Sequence, residues 1–236
     1  MQTFECAVIA AAGLGSRLGL GLPKCMLEIG GSTILTMLIE AIQPYAKRIH
    51  VVVGYREELI IQHIARQHPE VIIVRNPDFR TTNTAESMAM GARGSTGKVL
   101  FLDGDLIIDP KSMMDFENLA KVKDILIGVT QHQSENAVFA HIKSDIHGSN
   151  TISRFSREDY NSLEWANVFC GPADILDGAK KYVFEALEGH LPAPAFILNL
   201  CEIDTISDLD NAKKFFMQLT SARCLSPSCT EQENSQ

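Results

Sequence analysis

The stretch Cys6-Ala7-Val8-Ile9-Ala10-Ala11-Ala12-Gly13-Leu14-Gly15-Ser16-Arg17-Leu18-Gly19, followed by Pro23-Lys24, decides the reading of this chain. Its first half is apolar at every position. A strand with that pattern is buried on both faces, as in a parallel sheet covered by helices. Its second half is a glycine loop, and such a turn after a buried first strand directs backbone amides at a phosphate. The spacing departs from two familiar phosphate loops. The third glycine of a dinucleotide fingerprint arrives one place late, at Gly19, and no Gly-Lys-Ser/Thr closes the run as in a P-loop. Arg17 inside the loop and Lys24 just beyond it combine a planar fork with a point charge, a pair able to bracket a triphosphate. The competing reading is a tight turn with two solvated cations.

Outward from this segment, strand and helix alternate. Leu27-Glu28-Ile29 and the turn Gly30-Gly31 lead to Ser32 or Thr33 as the cap of a helix, with Ile34, Leu35, Leu38, Ile39 and Ile42 at helical spacing. Strands are expected at 49–53, 71–74 and 99–102, and a helix at 57–67. Another helix opens at Asn83, where Glu86 completes a capping box, and runs through Met90. This alternation is the signature of an α/β fold with a parallel sheet, whose ligands gather at the carboxyl ends of the strands. Beyond Pro110 the pattern loosens. Strands are expected at 125–129, 138–142, 152–155 and 166–169, a helix at 175–187, and a short strand at 201–203 ending at Asp204. A last helix starts at Ser207 or Asp208 and ends near Leu219. This half reads as an antiparallel extension of the same sheet, giving one domain over residues 1–220. Residues 221–236 are polar and aperiodic and are expected to form a disordered tail.

With 45% hydrophobic and 21% charged residues in a chain of 236, disorder and collagen-like repetition are excluded. The 29 acidic against 21 basic residues, a net charge of −8, argue against a broad nucleic-acid or membrane-surface binder. A nucleotide needs only local cations and backbone donors. No apolar run approaches the roughly 18 to 20 residues of a membrane span. The start Met1-Gln2-Thr3-Phe4-Glu5 lacks the basic opening of a signal peptide, so a cytoplasmic location is expected. The cysteines form no CxxC and no zinc spacing. Cys6, Cys25, Cys170 and Cys201 sit in apolar contexts and read as buried thiols, and Cys224 and Cys229 lie in the polar tail.

The run Ala11-Ala12-Gly13-Leu14-Gly15-Ser16-Arg17-Leu18-Gly19 with Pro23-Lys24 resembles the signature of the nucleotidyltransferases that make CDP- and NDP-activated compounds. The resemblance implies a Rossmann-like mixed, mainly parallel sheet of the glycosyltransferase-A type. In it Ala11, Ala12, Gly13, Leu14, Gly15 and Ser16 wrap the triphosphate, and Arg17 and Lys24 stabilise its charge during catalysis. It implies Mg2+ as cofactor, held by Asp105 of Asp103-Gly104-Asp105 and by Asp204 of Glu202-Ile203-Asp204-Thr205. Each acid ends or follows an expected strand, and Mg2+ takes one or two carboxylates plus phosphate oxygens. Capping of a turn or helix is the competing reading for either acid. By the same resemblance Asn83 and Ser87 read the base and Asp103 contacts the ribose. Capping alone accounts equally well for Asn83 and Glu86.

The short spacer between Arg17 and Lys24 is similar to that of small cytidylyltransferases acting on phospho-alcohols, phosphonates or inositol phosphate. Glu202-Ile203-Asp204-Thr205 resembles the bacterial phosphocholine enzymes, whose longer glycine loop this chain lacks. The expected reaction is transfer of a nucleotidyl group, CMP from CTP, to a small phosphate- or phosphonate-bearing acceptor, with release of pyrophosphate. Two alternatives stand: a sugar-1-phosphate nucleotidyltransferase using UTP, GTP or dTTP, and a non-catalytic nucleotide-binding domain; a molybdopterin nucleotidyltransferase is disfavoured by Pro23 before Lys24, which the loops of that group usually lack. On the acceptor side Trp165 beside Glu164 offers an aromatic face and a carboxylate suited to an amine. Arg154 and Arg157 offer a grip on the acceptor phosphate. Packing under the sheet and exposure on a loop are the competing readings. The expected partners are small molecules, not nucleic acid or a membrane, with homo-oligomerisation left open.

Overall fold

The computed structural model describes residues 2–15, 21–146 and 148–224. Strand β1 (Cys6–Ala11) leads to a short 3-10 turn (Lys24–Met26) and a hairpin of β2 (Glu28–Ile29) and β3 (Ser32–Thr33) about Gly30-Gly31. Thr33 caps helix α1 (Ile34–Ile42) by accepting from Thr36 N. Next come β4 (Ile49–Val53), α2 (Glu57–Gln67) and β5 (Ile72–Arg75). Helix α3 (Thr84–Ala92) opens on a complete Asn83–Glu86 capping box and is followed by β6 (Lys98–Asp103) and β7 (Leu106–Ile108). Asp109 and Pro110 start α4 (Pro110–Ala120). Strands β8 (Leu126–Gln131), β9 (Phe139–Ser144), β10 (Asn150–Ser156) and β11 (Leu163–Pro172) follow. The remaining elements are α5 (Val183–Leu187), β12 (Ala193–Ile197), β13 (Leu200–Glu202) and α6 (Ile206–Cys224).

Nine strands form one mixed sheet in the order β5-β4-β1-β6-β11-β8-β12-β10-β9, with helices on both faces. Strands β5, β4, β1 and β6 are parallel, and β11 joins β6 antiparallel. The extension is not wholly antiparallel, because β12 runs parallel to β8. Alternate residues of β1 feed two cores: Ala7, Ile9 and Ala11 pack with α1, α2 and α4, while Cys6 and Val8 pack with α3 and α5. That double burial is why the run is apolar throughout. Cys6, Cys25, Cys170 and Cys201 are buried free thiols.

Several expectations give way to the structure. The helix expected over 175–187 is confined to Val183–Leu187. Residues before it form turns, with Ile175 N donating to Pro172 O, and Gly178 at φ 73 interrupts any helix there. Helix α4 and strands β7 and β12 were not anticipated. Pro194 inside β12 argues against a strand in sequence terms, since it withholds a ladder donor. The last helix runs to Cys224, beyond the boundary expected at 220, and residues 225–236 lie outside the described residues.

A third core joins the hairpin to the far end of the chain. Leu27, Ile29 and Ile34 pack with Ile107, Cys201, Ile203 and Ala212, with Phe216 against them. Gly30 has φ 61, and a Cβ there would lie 2.1 Å from the Phe216 ring. Gly30→Ala is therefore expected to destabilise the fold by about 1–3 kcal/mol. A thermal melt followed by circular dichroism checks this, and an unchanged midpoint would show that α6 does not lean on the hairpin.

Candidate active site

The site forms where β1, β6 and the small sheet of β7 and β13 end together. Asp103 closes β6 and Asp105 precedes β7. Between them Gly104 N donates to Ala10 O at 2.9 Å, and a Cβ on Gly104 would meet that oxygen at 2.8 Å. Only glycine fits so close a passage. Strand β13 pairs antiparallel with β7, and Ile203 N donates to Asp105 O at 3.0 Å. This backbone pairing delivers Glu202 and Asp204 to Asp105. Asp208 Oδ2 accepts from Asp204 N at 3.0 Å and Thr205 N at 2.7 Å, so Asp208 serves the turn before α6 and the Asp204 carboxylate is spared that duty.

The Asp105 and Asp204 side chains bind Lys24 instead of capping. Lys24 Nζ lies 3.0 Å from Asp105 Oδ2 and 2.5 Å from Asp204 Oδ1. Burial works against the Lys24 ammonium, but the charges and hydrogen bonds of the two carboxylates outweigh it and hold its pKa above the ordinary value. Burial, reinforced by the negative charges of Asp105, Asp103 and Asp204, pushes Glu202 up to about 9. Burial and the neighbouring Asp105 raise Asp103 in the same way.

Asp103 Oδ1 and Asp105 Oδ1 are buried and have no hydrogen-bond partner among the described residues. Oxygen atoms of this kind fit a hard cation. Among the described residues no three His, Cys, Asp or Glu side chains converge into a preformed cage. Carboxylate oxygens are ligands of the class Mg2+ takes, with phosphate and water completing its shell.

Two cavities meet at these acids. One, of about 480 Å3, is bounded by Ala11, Ala12, Gly13, Leu14, Gly15 and Lys24 on one side and by Arg80, Asn83 and Ser87 on the other. The second, of about 220 Å3, is bounded by loop 133–138, Arg157, Trp165, Asn167 and Phe184. Thr84, Asp103, Tyr182, Glu202 and Asp204 line both.

The structure thus gathers Ala11, Ala12, Gly13, Leu14, Gly15, Lys24, Asn83, Ser87, Asp103, Asp105 and Asp204 around one space. Ser16 and Arg17 lie outside the described residues. Asn83 both caps α3 and lines the cavity. Ser87 Oγ accepts from Asn76 Nδ2 at 2.9 Å, leaving its own proton to donate into the cavity. Sequence reasoning missed Asn76, which also donates to Thr82 Oγ1 at 2.8 Å and accepts from Asp78 N at 3.0 Å. The signal was the Asn76-Pro77-Asp78 turn. It also missed Arg80, whose guanidinium lies 5.4 Å over the Phe79 ring.

The acceptor-side expectations are corrected in two places. Trp165 lines the second cavity while packing edge-on against Phe155, so contact and packing coexist. Glu164, the next residue along the strand, is buried and does not line that cavity. Its carboxylate accepts from His132 Nδ1 at 2.7 Å and from Ser134 N and Oγ at 3.2 and 2.5 Å, anchoring the loop after β8. Arg154 is exposed and pairs with Asp159 at 2.7 Å, because strand alternation turns it away from the face of buried Phe155. Arg157 is the arginine at the cavity, its guanidinium 5.1 Å from both the Tyr182 and Phe184 rings.

The family model of the MobA-like NTP transferase domain matches residues 7–159. The chain is 26% identical over 215 residues to the bifunctional protein GlmU of Methanococcus vannielii, covering 89% of this chain and 49% of that protein. The chain spans about half the length of that relative and less of others it matches. Among solved structures it resembles the inositol-1-phosphate CTP transferase from T. maritima, with a TM-score of 0.74 and 16% identity over 93% of this chain and 98% of that one. It also resembles a UDP-glucose pyrophosphorylase complexed with UDP-glucose, with a TM-score of 0.73 and 13% identity over 91% and 99% of the two chains. These likenesses show the Rossmann-like mixed fold. No helix among the described residues is long and apolar enough to cross a membrane.

The acid cluster sets a pH dependence. Glu202 keeps its proton in the folded state above the ordinary 4.5 and up to about 9, whereas the unfolded chain has released it. The folded state then binds more protons, so stability falls as pH rises through that window. Raised Asp103 contributes with the same sign. In magnesium-free buffer the melting temperature is expected to decline across the window, and less steeply in Glu202→Gln. An identical slope in the variant would remove Glu202 as a source of the dependence.

Proposed function

The chain belongs to the MobA-like NTP transferase family, and from that premise we propose that it transfers CMP from CTP to the phosphate or phosphonate oxygen of a small acceptor, releasing pyrophosphate. The observation that carries the reading is Lys24 held between Asp105 and Asp204 where two cavities meet. The larger cavity takes the nucleotide. Amides of the loop after β1 face the triphosphate, with Lys24, Arg17 and Arg80 as its cations. Ser87 offers its hydroxyl proton to an acceptor atom of the base, and Asp103 serves the ribose. The second cavity takes the acceptor, with Arg157 facing its charge.

The acceptor oxygen is already an anion. It forms a bond to the α-phosphorus while the bond to the bridging oxygen breaks and pyrophosphate leaves, so no general base is needed. The residues act by positioning and charge neutralisation. Asp105 and Asp204 are the side chains that would hold Mg2+, which when bound supplies Lewis-acid polarisation of phosphate oxygens. Lys24 then exchanges its carboxylate partners for the triphosphate. The choice of CTP is supported by the short spacer between Arg17 and Lys24. A second reading, a sugar-1-phosphate enzyme using UTP or dTTP, is favoured by the likeness to GlmU and to a UDP-glucose pyrophosphorylase.

Pyrophosphate release with Mg2+ and each nucleoside triphosphate in turn tests the proposal, using pooled phosphocholine, phosphonates, inositol phosphate and sugar 1-phosphates as acceptors. Release with CTP alone is expected. Release with UTP or dTTP would keep the mechanism and replace the base, and silence with every triphosphate would contradict the activity. Lys24→Ala and Asp105→Asn are expected to lose about a hundredfold or more in kcat while keeping their circular-dichroism spectra. Wild-type turnover by either folded variant would contradict the assigned roles.

A further inference from the structure

Asn167 has φ 54 in the middle of strand β11, and Arg56 at the start of α2 is the other non-glycine described residue with positive φ. The ladder slips there. Trp165 pairs with Val129 of β8 and Phe169 with Ile127, with an irregularity between, while on the other side Val168 stays in register with Leu102 of β6. Bulges of this kind re-aim a side chain and are frequent beside active sites. A left-handed backbone costs an L-residue energy and is tolerated best by glycine, then asparagine. An outlier in a central strand calls for something that offsets the cost.

The side chain supplies it. Asn167 Nδ2 donates to Glu202 Oε2 at 3.1 Å, across from the nine-stranded sheet to the small sheet. Among the described residues, the charged groups acting on Glu202 are Asp103, Asp105, Asp204 and Lys24. Asn167 is thus a neutral donor set against a group of acids. Glu202 ends β13, which pairs with β7, and Asp105 and Asp204 sit at the ends of that same pair. The amide therefore ties the strands that carry Asp105 and Asp204 to the sheet that carries the glycine loop and Asp103.

We infer that Asn167 is a positioning residue: its left-handed bulge holds Glu202, and with it the small sheet bearing Asp105 and Asp204, at a fixed separation from β1 and β6. Nucleotidyl transfer would take place across that separation, so the role in catalysis rests on the proposed function, whereas the tie is a property of the fold alone. The opposing explanation is that asparagine is present only because it tolerates positive φ. Glycine tolerates it better, so Asn167→Gly separates the two. Asn167→Asp keeps the shape and the tolerance but replaces the neutral amide donor by one more carboxyl group beside Asp103, Asp105, Glu202 and Asp204.

Two measurements on the full chain decide the matter. In thermal melts without nucleotide, Asn167→Gly is expected to raise the midpoint more in a Glu202→Ala background than in the wild type. In the wild type the relief of the backbone is opposed by the lost hydrogen bond, and in Glu202→Ala it is not. In steady-state assays, Asn167→Gly and Asn167→Asp are expected to lose about fivefold to tenfold in kcat, the scale of a neutral hydrogen bond. The nucleotide KM is expected to change little. Equal midpoint shifts in the two backgrounds, or wild-type kcat in Asn167→Gly, overturns the inference. A wild type silent with every triphosphate overturns the proposed function and the role in transfer with it, while the melts still report on the tie.

Discussion

Among the described residues, Asp103, Asp105, Glu202 and Asp204 share the Lys24 ammonium as their cation, and the charge balance of that group constrains most of what surrounds it. Buried like charges cannot all ionise, and a buried ion that loses its partner is strongly unfavourable. The Lys24 ammonium offsets part of that charge, and the crowding raises the pKa of Glu202 and Asp103. The lysine is accordingly fixed by its backbone, on a short 3-10 turn after Pro23, and Gly15 passes so close that a Cβ would meet Lys24 Cγ at 3.2 Å. The third core then braces the segment after Lys24 against the small sheet and α6, which brackets Asp204. A nucleotide with its cation would replace an internal charge balance by an external one.

The parallel half of the fold was legible because each element there carries its own periodicity and stop signal. Apolar runs gave β1 and β6, β4 is apolar but for His50, and the Asn83–Glu86 box appears in the structure as read. What could not be read depends on distant partners. Strand β7 is three residues long and exists because β13, far along the chain, pairs with it. Strand β12 contains Pro194 and is held by β8 and β10 on either side. Around Ile175 and Leu176 the apolar residues imitate a helix, but they bury themselves through turns.

In the site, Asp105 and Asp204 were singled out by the resemblance to the nucleotidyltransferases, with their places after expected strands in support, and Lys24 by its place just beyond the glycine loop. Side-chain direction was not. Glu164 and Trp165 are neighbours on β11, yet one anchors the loop after β8 and the other lines a cavity, because successive strand residues face opposite ways. Asn167 owes its contact with Glu202 to a bulge that no local pattern announces. Asn76 and Arg80 act from a loop whose only mark in the sequence is a turn.

On the proposed function, Lys24 between Asp105 and Asp204 is the counter-charge that a metal-bound nucleotide replaces. A crystal structure with Mn2+ and a non-hydrolysable CTP analogue, read by anomalous scattering, tests it most directly. One anomalous peak touching both Asp105 and Asp204 is expected, with Lys24 Nζ withdrawn onto a phosphate oxygen. A nucleotide bound while Lys24 still pairs with both carboxylates, and the metal found elsewhere, would contradict it.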